Sequence, residues 1–290
     1  MANGQTERLE GSLEDYLVQS LPPLPSTASE LLAILADEHA PTIKLVQLIE
    51  EDVALAARLV GLANSSFYAL PQPVVSVQDA VLRVLGLDVA RGVVLSAIAG
   101  ATLDYHQCEG FQVERFWRES LLVASLSRSL CLSSSGTLGD HAARGYLAGL
   151  LMRLGLLGLA ALRPEETAKA LAADPERSLG ERLKAELGVT HREVGGAIAR
   201  HWHLPEPIPT LVADAAPAET RSLAGLLSAS VSLAANMAAH EIYVSSRSLS
   251  SQAANDPAIE QLEELGGMVE SVQSECSKLH QQAQTIAATL

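Results

Sequence analysis

Helix start and stop signals recur along this chain, and they restrict its fold more than any other feature of the sequence. Thr27, Ser76 and Thr190 are each followed three residues later by an acidic side chain. This spacing is typical of a helix N-cap whose acidic partner reaches back to the exposed backbone N–H groups of the first turn. Thr42 and Asp52 are single N-cap candidates for two further helices.

Glycines mark the ends of the same segments. We expect Gly86 to end one helix before Asp88 opens the next, and Gly188 to end another. Between these signals apolar residues recur at helical spacing, as in 45–49 and 55–63. No run alternates between apolar and polar residues over the length of a convincing half-buried strand. The sequence therefore predicts an all-α, multi-helix bundle.

The charge balance argues against polyanionic partners. The chain has 34 acidic and 20 basic residues, a formal net charge of −14, and no cluster of lysines or arginines. A surface this acidic repels phosphate backbones and anionic lipids, so we expect neither direct nucleic-acid binding nor membrane binding. The longest uncharged stretch, 222–239, contains several serines and an asparagine and is better interpreted as a buried helix than as a membrane span.

Cysteine usage points to a reducing compartment. The three cysteines are far apart, odd in number and form no Cys-x-x-Cys pair, so they indicate neither a disulfide framework nor a zinc site. The polar, acidic N-terminus does not resemble a signal peptide. We therefore expect a cytoplasmic protein.

Polar breaks divide the chain into three parts. We expect a polar tail at 1–12, a main domain at 13–244 and a linker with a C-terminal helix at 245–290. Within the main domain, an N-terminal helical subdomain covers about 13–105 and a second subdomain about 106–244.

The C-terminal helix has an apolar heptad seam. Its apolar residues alternate in steps of three and four, and they include Leu265, Val269, Val272, Leu279 and Ile286. Since a single short helix is marginally stable in water, something must cover this seam. The seam either packs on the chain's own domain or pairs with a partner, for instance in a homodimer.

Seven short blocks lie in order along the main domain: LPPLP at 21–25, LIEED at 48–52, LANSSFY at 62–68, AVLRVLG at 80–86, FWRES at 116–120, AGLLMRLG at 148–155, and EVG through WHLP at 193–205. Together they resemble the HDOD domain of bacterial signalling proteins. The resemblance covers about residues 13–240. HDOD domains are similar to HD-type phosphohydrolases, which are helical enzymes that bind divalent metal through histidines and aspartates. The resemblance therefore implies an HDOD-like helical scaffold.

The same resemblance implies that the metal ligands are missing. Glu119 stands where the first ligating histidine is expected, Met152 and Arg153 replace the His-Asp dipeptide, and Asn236 replaces the last acidic ligand. Only His191 remains where a histidine is allowed, and we interpret it as an exposed residue in the first turn of a helix. These five are called the degenerate ligand positions below. A further paired-histidine position corresponds to Ala215-Ala216.

A guanidinium and a thioether cannot replace an aspartate and a histidine, because a metal ion needs neutral imidazoles and carboxylates to activate a bound water. No His-Asp dipeptide occurs anywhere in the chain. We expect no metal, no cofactor and no catalytic residue. We also expect Glu119 and Arg153 to form a buried ion pair in place of the metal.

One further segment could bind a ligand or partner. Asn64, Ser65, Phe67 and Tyr68 follow a helix and include two of the few aromatic residues. They either cap and turn the chain, with the aromatic rings in the core, or they line a groove between the N-terminal bundle and the rest. His201 and His203, in contrast, flank Trp202 at a helix end and need no functional explanation.

Three functions are compatible with these features. The leading hypothesis is a non-catalytic signal transduction protein, a pseudoenzyme that acts through protein partners in a bacterial two-component (response regulator) or gene-regulatory pathway. The alternatives are a metal-dependent phosphohydrolase with an atypical site, and a small-molecule sensor that binds a nucleotide in the degenerate cleft.

Overall fold

The computed structural model describes residues 19–21, 26–36, 40–133, 138–174, 177–204, 206–213 and 269–288, together with the single positions 227, 230, 231 and 234. This part of the chain is helical and contains no strand. The all-α fold predicted from the sequence is confirmed.

The helices are numbered in chain order. They are α1 (Ser26–Ala36), α2 (Thr42–Glu51), α3 (Val53–Ala63), α4 (Val77–Asp79, continued by a π-helical turn, Ala80–Leu85), α5 (Leu87–Thr102), α6 (Val113–Ser133), α7 (Ala142–Leu151, preceded by a 3₁₀ turn, Gly139–His141), α8 (Leu154–Leu162), α9 (Pro164–Ala172), α10 (Leu179–Leu187), α11 (His191–His201), α12 (Ile208–Val212) and α13 (Val269–Ala287).

Several helix boundaries match the local sequence signals. The Ser76 hydroxyl accepts a hydrogen bond from the backbone N–H of Asp79 at 3.0 Å. Thr190 and Glu193 form the reciprocal capping box expected at the start of α11. Gly188 ends α10 with φ at 75°, in the left-handed region that favours glycine. These features were predicted because capping depends on residues adjacent in sequence.

Other boundaries differ from the predictions. α1 begins at Ser26, one residue before Thr27, and α2 begins at Thr42 itself, with Pro41 at the cap position. Asp52 does cap α3, since its Oδ1 accepts from Ala54 and Leu55 backbone N–H groups at 2.9 and 3.1 Å. Gly86 ends the π-helical turn of α4 with φ at 78°, as predicted, but it is also the N-cap of α5. Asp88 therefore lies in the first turn of α5, where it pairs with Arg91 and Arg128.

The long helix α6 lies at the centre of the fold. This helix packs against α7 on one side and against α13 on another. Helices α1–α5 form a group that is joined to α6 indirectly, because α5 packs against α7. α11 packs against α8 and α12, and α9 packs against α10. Leu121, Leu122, Leu126 and Leu130 of α6 are almost completely buried in this core.

One apolar helical run, Gly139–Leu162, is long enough to cross a membrane by length and composition. It consists of the 3₁₀ turn, α7 and α8, and it is interrupted at Met152 and Arg153. Its most apolar window is 83% buried inside the fold. This degree of burial is typical of the core helices of a globular domain.

Candidate functional site

Four of the five degenerate ligand positions lie on three elements that meet beside the middle of α6. Glu119 is on α6, Met152 and Arg153 form the break between α7 and α8, and His191 is the first residue of α11. Asn236 and the pair Ala215-Ala216 lie outside the described residues.

α8 and α11 approach each other very closely next to this site. A Cβ on Gly155 would lie 1.9 Å from the His191 carbonyl oxygen and 2.4 Å from the Gly195 backbone nitrogen. Only a residue without a side chain permits this contact. The contact fixes the start of α11 against the start of α8, and it thereby holds His191 near Arg153.

The expected ion pair between α6 and the α7–α8 break is present. The Arg153 Nη1 donates a hydrogen bond to Glu119 Oε2. The two side chains are 25% and 21% exposed, so the pair is partly buried, not fully buried as we had expected. Burial lowers the pKa of the Arg153 guanidinium, and the neighbouring Glu119 carboxylate opposes this change. An arginine keeps its positive charge under such conditions.

A second arginine binds the same carboxylate. The Arg115 Nε donates to Glu119 Oε1 at 2.7 Å, one helical turn earlier on α6. We did not identify Arg115 from the sequence, although its i, i+4 spacing to Glu119 was a usable signal. Glu119 is thus held by two guanidinium groups, one on each carboxylate oxygen.

His191 is not an exposed residue, so that interpretation was wrong. Its side chain is half-buried, and its Nδ1 is buried without a hydrogen-bond partner among the described residues. Burial, together with the positive charges of Arg153 and Arg192, lowers the pKa of the imidazole to about 3. A histidine at the base of this site is therefore neutral at ordinary pH.

The residues present do not fit a divalent metal ion. Arg153 holds a permanent positive charge beside the neutral His191, and Met152 is buried with 6% exposure. The part of the chain that the structure describes contains no group of three His, Cys, Asp or Glu side chains that could hold an ion. The described positions accordingly offer no set of donor atoms that could hold a metal ion.

The Asn64–Tyr68 segment does more than turn the chain. Asn64 accepts a hydrogen bond from the Val74 backbone N–H at 2.9 Å and donates one to the Val74 carbonyl at 2.8 Å, which closes the loop between α3 and α4. The Phe67 and Tyr68 rings are in edge contact, with centroids 4.9 Å apart, and both are half-buried. Ser65 Oγ is buried without a partner among the described residues.

The C-terminal helix lies beside that segment. Gln282 Nε2 of α13 donates to the Tyr68 hydroxyl at 3.4 Å, and burial raises the pKa of this phenol. Ile286 is buried with 3% exposure, and Leu279 packs partly buried against the core. The side chains of Val269 and Val272 and all of Leu265 lie outside the described residues. In the described C-terminal part of α13, the apolar seam therefore packs against the same chain.

His201, Trp202 and His203 are arranged as the sequence indicated. α11 ends at His201, Trp202 is buried with 5% exposure, and the two histidines are exposed. They therefore do not form a metal pair.

Comparison with known proteins agrees with this architecture. The profile of the HDOD domain matches residues 21–217 of the chain. The chain belongs to the HDOD domain family. The relationship predicted from the sequence blocks is confirmed.

Two solved structures share the HDOD fold of this chain. One is a protein assigned to signal transduction from Marinobacter aquaeolei VT8, with a TM-score of 0.75, 26% identity and coverage of 97% of this chain and 61% of that one. The other is a protein assigned as a phosphohydrolase from Shewanella amazonensis SB2B, with a TM-score of 0.71, 23% identity and coverage of 97% and 99%.

Among curated proteins, an uncharacterized protein of Treponema pallidum (strain Nichols) is 29% identical over 208 residues. The match covers 70% of this chain and 39% of that protein. The chain thus spans less than half of the length of this curated relative. The family match concerns the HDOD domain alone, residues 21–217 of this chain.

Proposed function

We propose that this HDOD protein is a non-catalytic regulator that acts on protein partners in a bacterial signalling pathway. The observation that carries the proposal is the ion pair of Arg153 with Glu119, at positions that the resemblance to HD-type phosphohydrolases assigns to metal ligands. Here a guanidinium supplies the positive charge that an ion would supply there.

The chemistry of these side chains supports a loss of catalysis. An HD-type hydrolase needs an ion that lowers the pKa of a bound water and polarises a phosphoryl oxygen. In this chain the carboxylate of Glu119 is neutralised by Arg153 and Arg115, and His191 is next to a permanent cation. An incoming divalent ion would have to displace Arg153 from Glu119.

The relatives support the signalling part of the proposal. The Marinobacter aquaeolei protein, assigned to signal transduction, is 26% identical to this chain over the aligned residues, which cover 61% of its own length. The likeness to the Shewanella amazonensis protein, at 23% identity, concerns the fold alone. The enzymatic alternative therefore has no support from individual residues of this chain.

A partner has two candidate surfaces on this protein. One is the Asn64–Tyr68 segment, and the other is α13, through which a second copy could also bind. Since Ile286 is buried in its own chain, pairing through the seam of α13 would first require this helix to detach.

We place the protein in the cytoplasm, because its separated cysteines form no disulfide framework.

Metal content and hydrolysis assays test the loss of catalysis. The purified full chain, offered Mn²⁺, Fe²⁺, Ni²⁺ or Mg²⁺, should retain no stoichiometric metal and should not hydrolyse phosphomonoesters or phosphodiesters. Stoichiometric metal together with turnover that disappears in His191→Ala would refute the proposal. The partner is tested separately: the full chain should purify one defined complex from the native bacterium, and recovery of no defined complex would contradict this part of the proposal.

A further inference from the structure

A second charged cluster lies on α5 and α6, apart from the degenerate ligand positions. Arg91 of α5 has a side chain only 5% exposed, and its Nη1 lies 3.5 Å from Asp88 Oδ1. Arg128 of α6 binds the other oxygen of Asp88 through its Nε. Nine residues of α6 separate Glu119 from Arg128, which is roughly 13 Å along a helix. The two clusters are therefore distinct.

The cluster has more positive charge than its own carboxylate compensates, and more hydrogen-bond donors than its own residues bind. Two guanidinium groups share the single carboxylate of Asp88, so among the described residues one positive charge has no carboxylate of its own. The buried Nε of Arg91 has no hydrogen-bond partner among the described residues. Because an unpaired buried donor on a charged group costs free energy, the arrangement favours an additional acceptor with negative charge.

A tyrosine hydroxyl lies beside these groups. A Cβ on Gly92, the residue after Arg91, would be 2.9 Å from the Tyr146 hydroxyl oxygen. Burial raises the pKa of Tyr146 far above its ordinary value, and the charge of Asp88 raises it further, whereas those of Arg128 and Arg91 lower it. The hydroxyl therefore stays protonated and can donate a hydrogen bond to an anion.

One side of the cluster is exposed to solvent. The side chains of Arg128 and Asp88 are 42% and 23% exposed, whereas that of Arg91 is 5% exposed. An anion can therefore approach the cluster from the side of Arg128. An i, i+3 pair of Asp88 with Arg91 alone would stabilise the first turn of α5, but it would not require Arg128.

We propose that Arg91, Arg128 and Tyr146 form a binding site for a phosphate group, either free or carried by a small phosphorylated molecule. Guanidinium groups match the geometry of phosphate oxygens and bind them through charge-assisted hydrogen bonds. Asp88 orients both arginines and at the same time competes with the anion for them. The site is independent of the loss of catalysis at Glu119 and Arg153, and it adds a ligand to the proposed function.

Binding of inorganic phosphate to the full chain tests the site. Isothermal titration should give saturable binding, and phosphate should raise the melting temperature more than sodium chloride at the same ionic strength. Arg128→Gln should weaken binding about tenfold, since it removes one charge-assisted contact. Arg83→Gln is the matched control, because Arg83 is an exposed arginine that also pairs with an aspartate, Asp79. It should bind phosphate as the wild type does.

Asp88→Asn separates a binding site from a purely structural ion pair. It should bind phosphate more tightly than the wild type, because the competing carboxylate is removed while both arginines remain. Absence of phosphate binding in the wild type, equal binding by Arg128→Gln and Arg83→Gln, or weaker binding by a folded Asp88→Asn would each overturn the proposal. A nucleoside monophosphate that binds more tightly than inorganic phosphate would identify a phosphorylated molecule as the ligand, and equal affinities would identify free phosphate.

Discussion

At the scale of single residues, His191 couples the stability of the fold to pH. Its imidazole has a pKa of about 3 in the folded chain, against 6.5 for an unperturbed histidine. Between these values the unfolded chain binds more protons than the folded one, so the free energy of unfolding falls as the pH drops below 6.5. We expect this residue to contribute a loss of about 2 kcal/mol between pH 6.5 and about pH 5, measured by urea unfolding.

Two substitutions isolate that contribution from the titration of the carboxylates. His191→Gln should lose less stability than the wild type over the same pH range, because the protonatable group is gone. His201→Gln is the control, since His201 is an exposed histidine at the other end of α11. It should follow the wild-type curve. Equal acid sensitivity of the wild type and His191→Gln would contradict the burial of a neutral imidazole at this site.

Some properties of single residues could be predicted from the sequence, and others could not. The resemblance pointed to Glu119 and Arg153, and their pairing followed from simple charge complementarity. The buried state of His191 depends on how the start of α11 packs against α8, which no local pattern encodes. Arg91 and Arg128 lie 37 positions apart in the chain and meet only because α5 packs near α6 and α7.

At the scale of helices, the contact between α8 and α11 determines where the degenerate ligand positions lie. Gly155→Ala should lower the free energy of unfolding by about 2–3 kcal/mol, because the new methyl group would overlap the His191 carbonyl and force the two helices apart. Gly100→Ala is the matched control. Its Cβ would meet nothing within 4 Å, so it should be neutral or stabilise α5 by up to about 1 kcal/mol. Urea unfolding of both variants would measure the difference, and equal stabilities would contradict the close approach.

Helix existence and several helix ends were predictable, while helix packing was not. Ser76, Thr190 and Gly188 act through hydrogen bonds within a few residues, so their sequence context was sufficient. Thr42 failed as a cap because Pro41 takes that place, which suits the residue before a first helical turn. The heptad seam of α13 predicted an amphipathic helix but gave no information on the surface that covers it.

At the scale of the whole molecule, α13 joins the end of the chain to its first half. It packs along α6, the helix at the centre of the fold, and Gln282 reaches Tyr68 in the loop after α3. Ala283, Ile286 and Ala287 are buried at this junction. The C-terminal helix therefore completes the core of the HDOD domain and also lies against the Asn64–Tyr68 segment, one of the two candidate surfaces for a partner.

Ile286→Ala tests whether α13 belongs to the core of its own chain. Removing this side chain, which is 3% exposed, should lower the free energy of unfolding by about 2–4 kcal/mol, because it leaves a cavity between α13 and its neighbours. Gln284→Ala, at an exposed position of the same helix, should have little effect. Docking within one chain makes the loss independent of protein concentration, whereas pairing between chains makes it concentration-dependent. Urea unfolding at two protein concentrations distinguishes these cases, and a loss seen only at the higher concentration would show that α13 is held by a second copy.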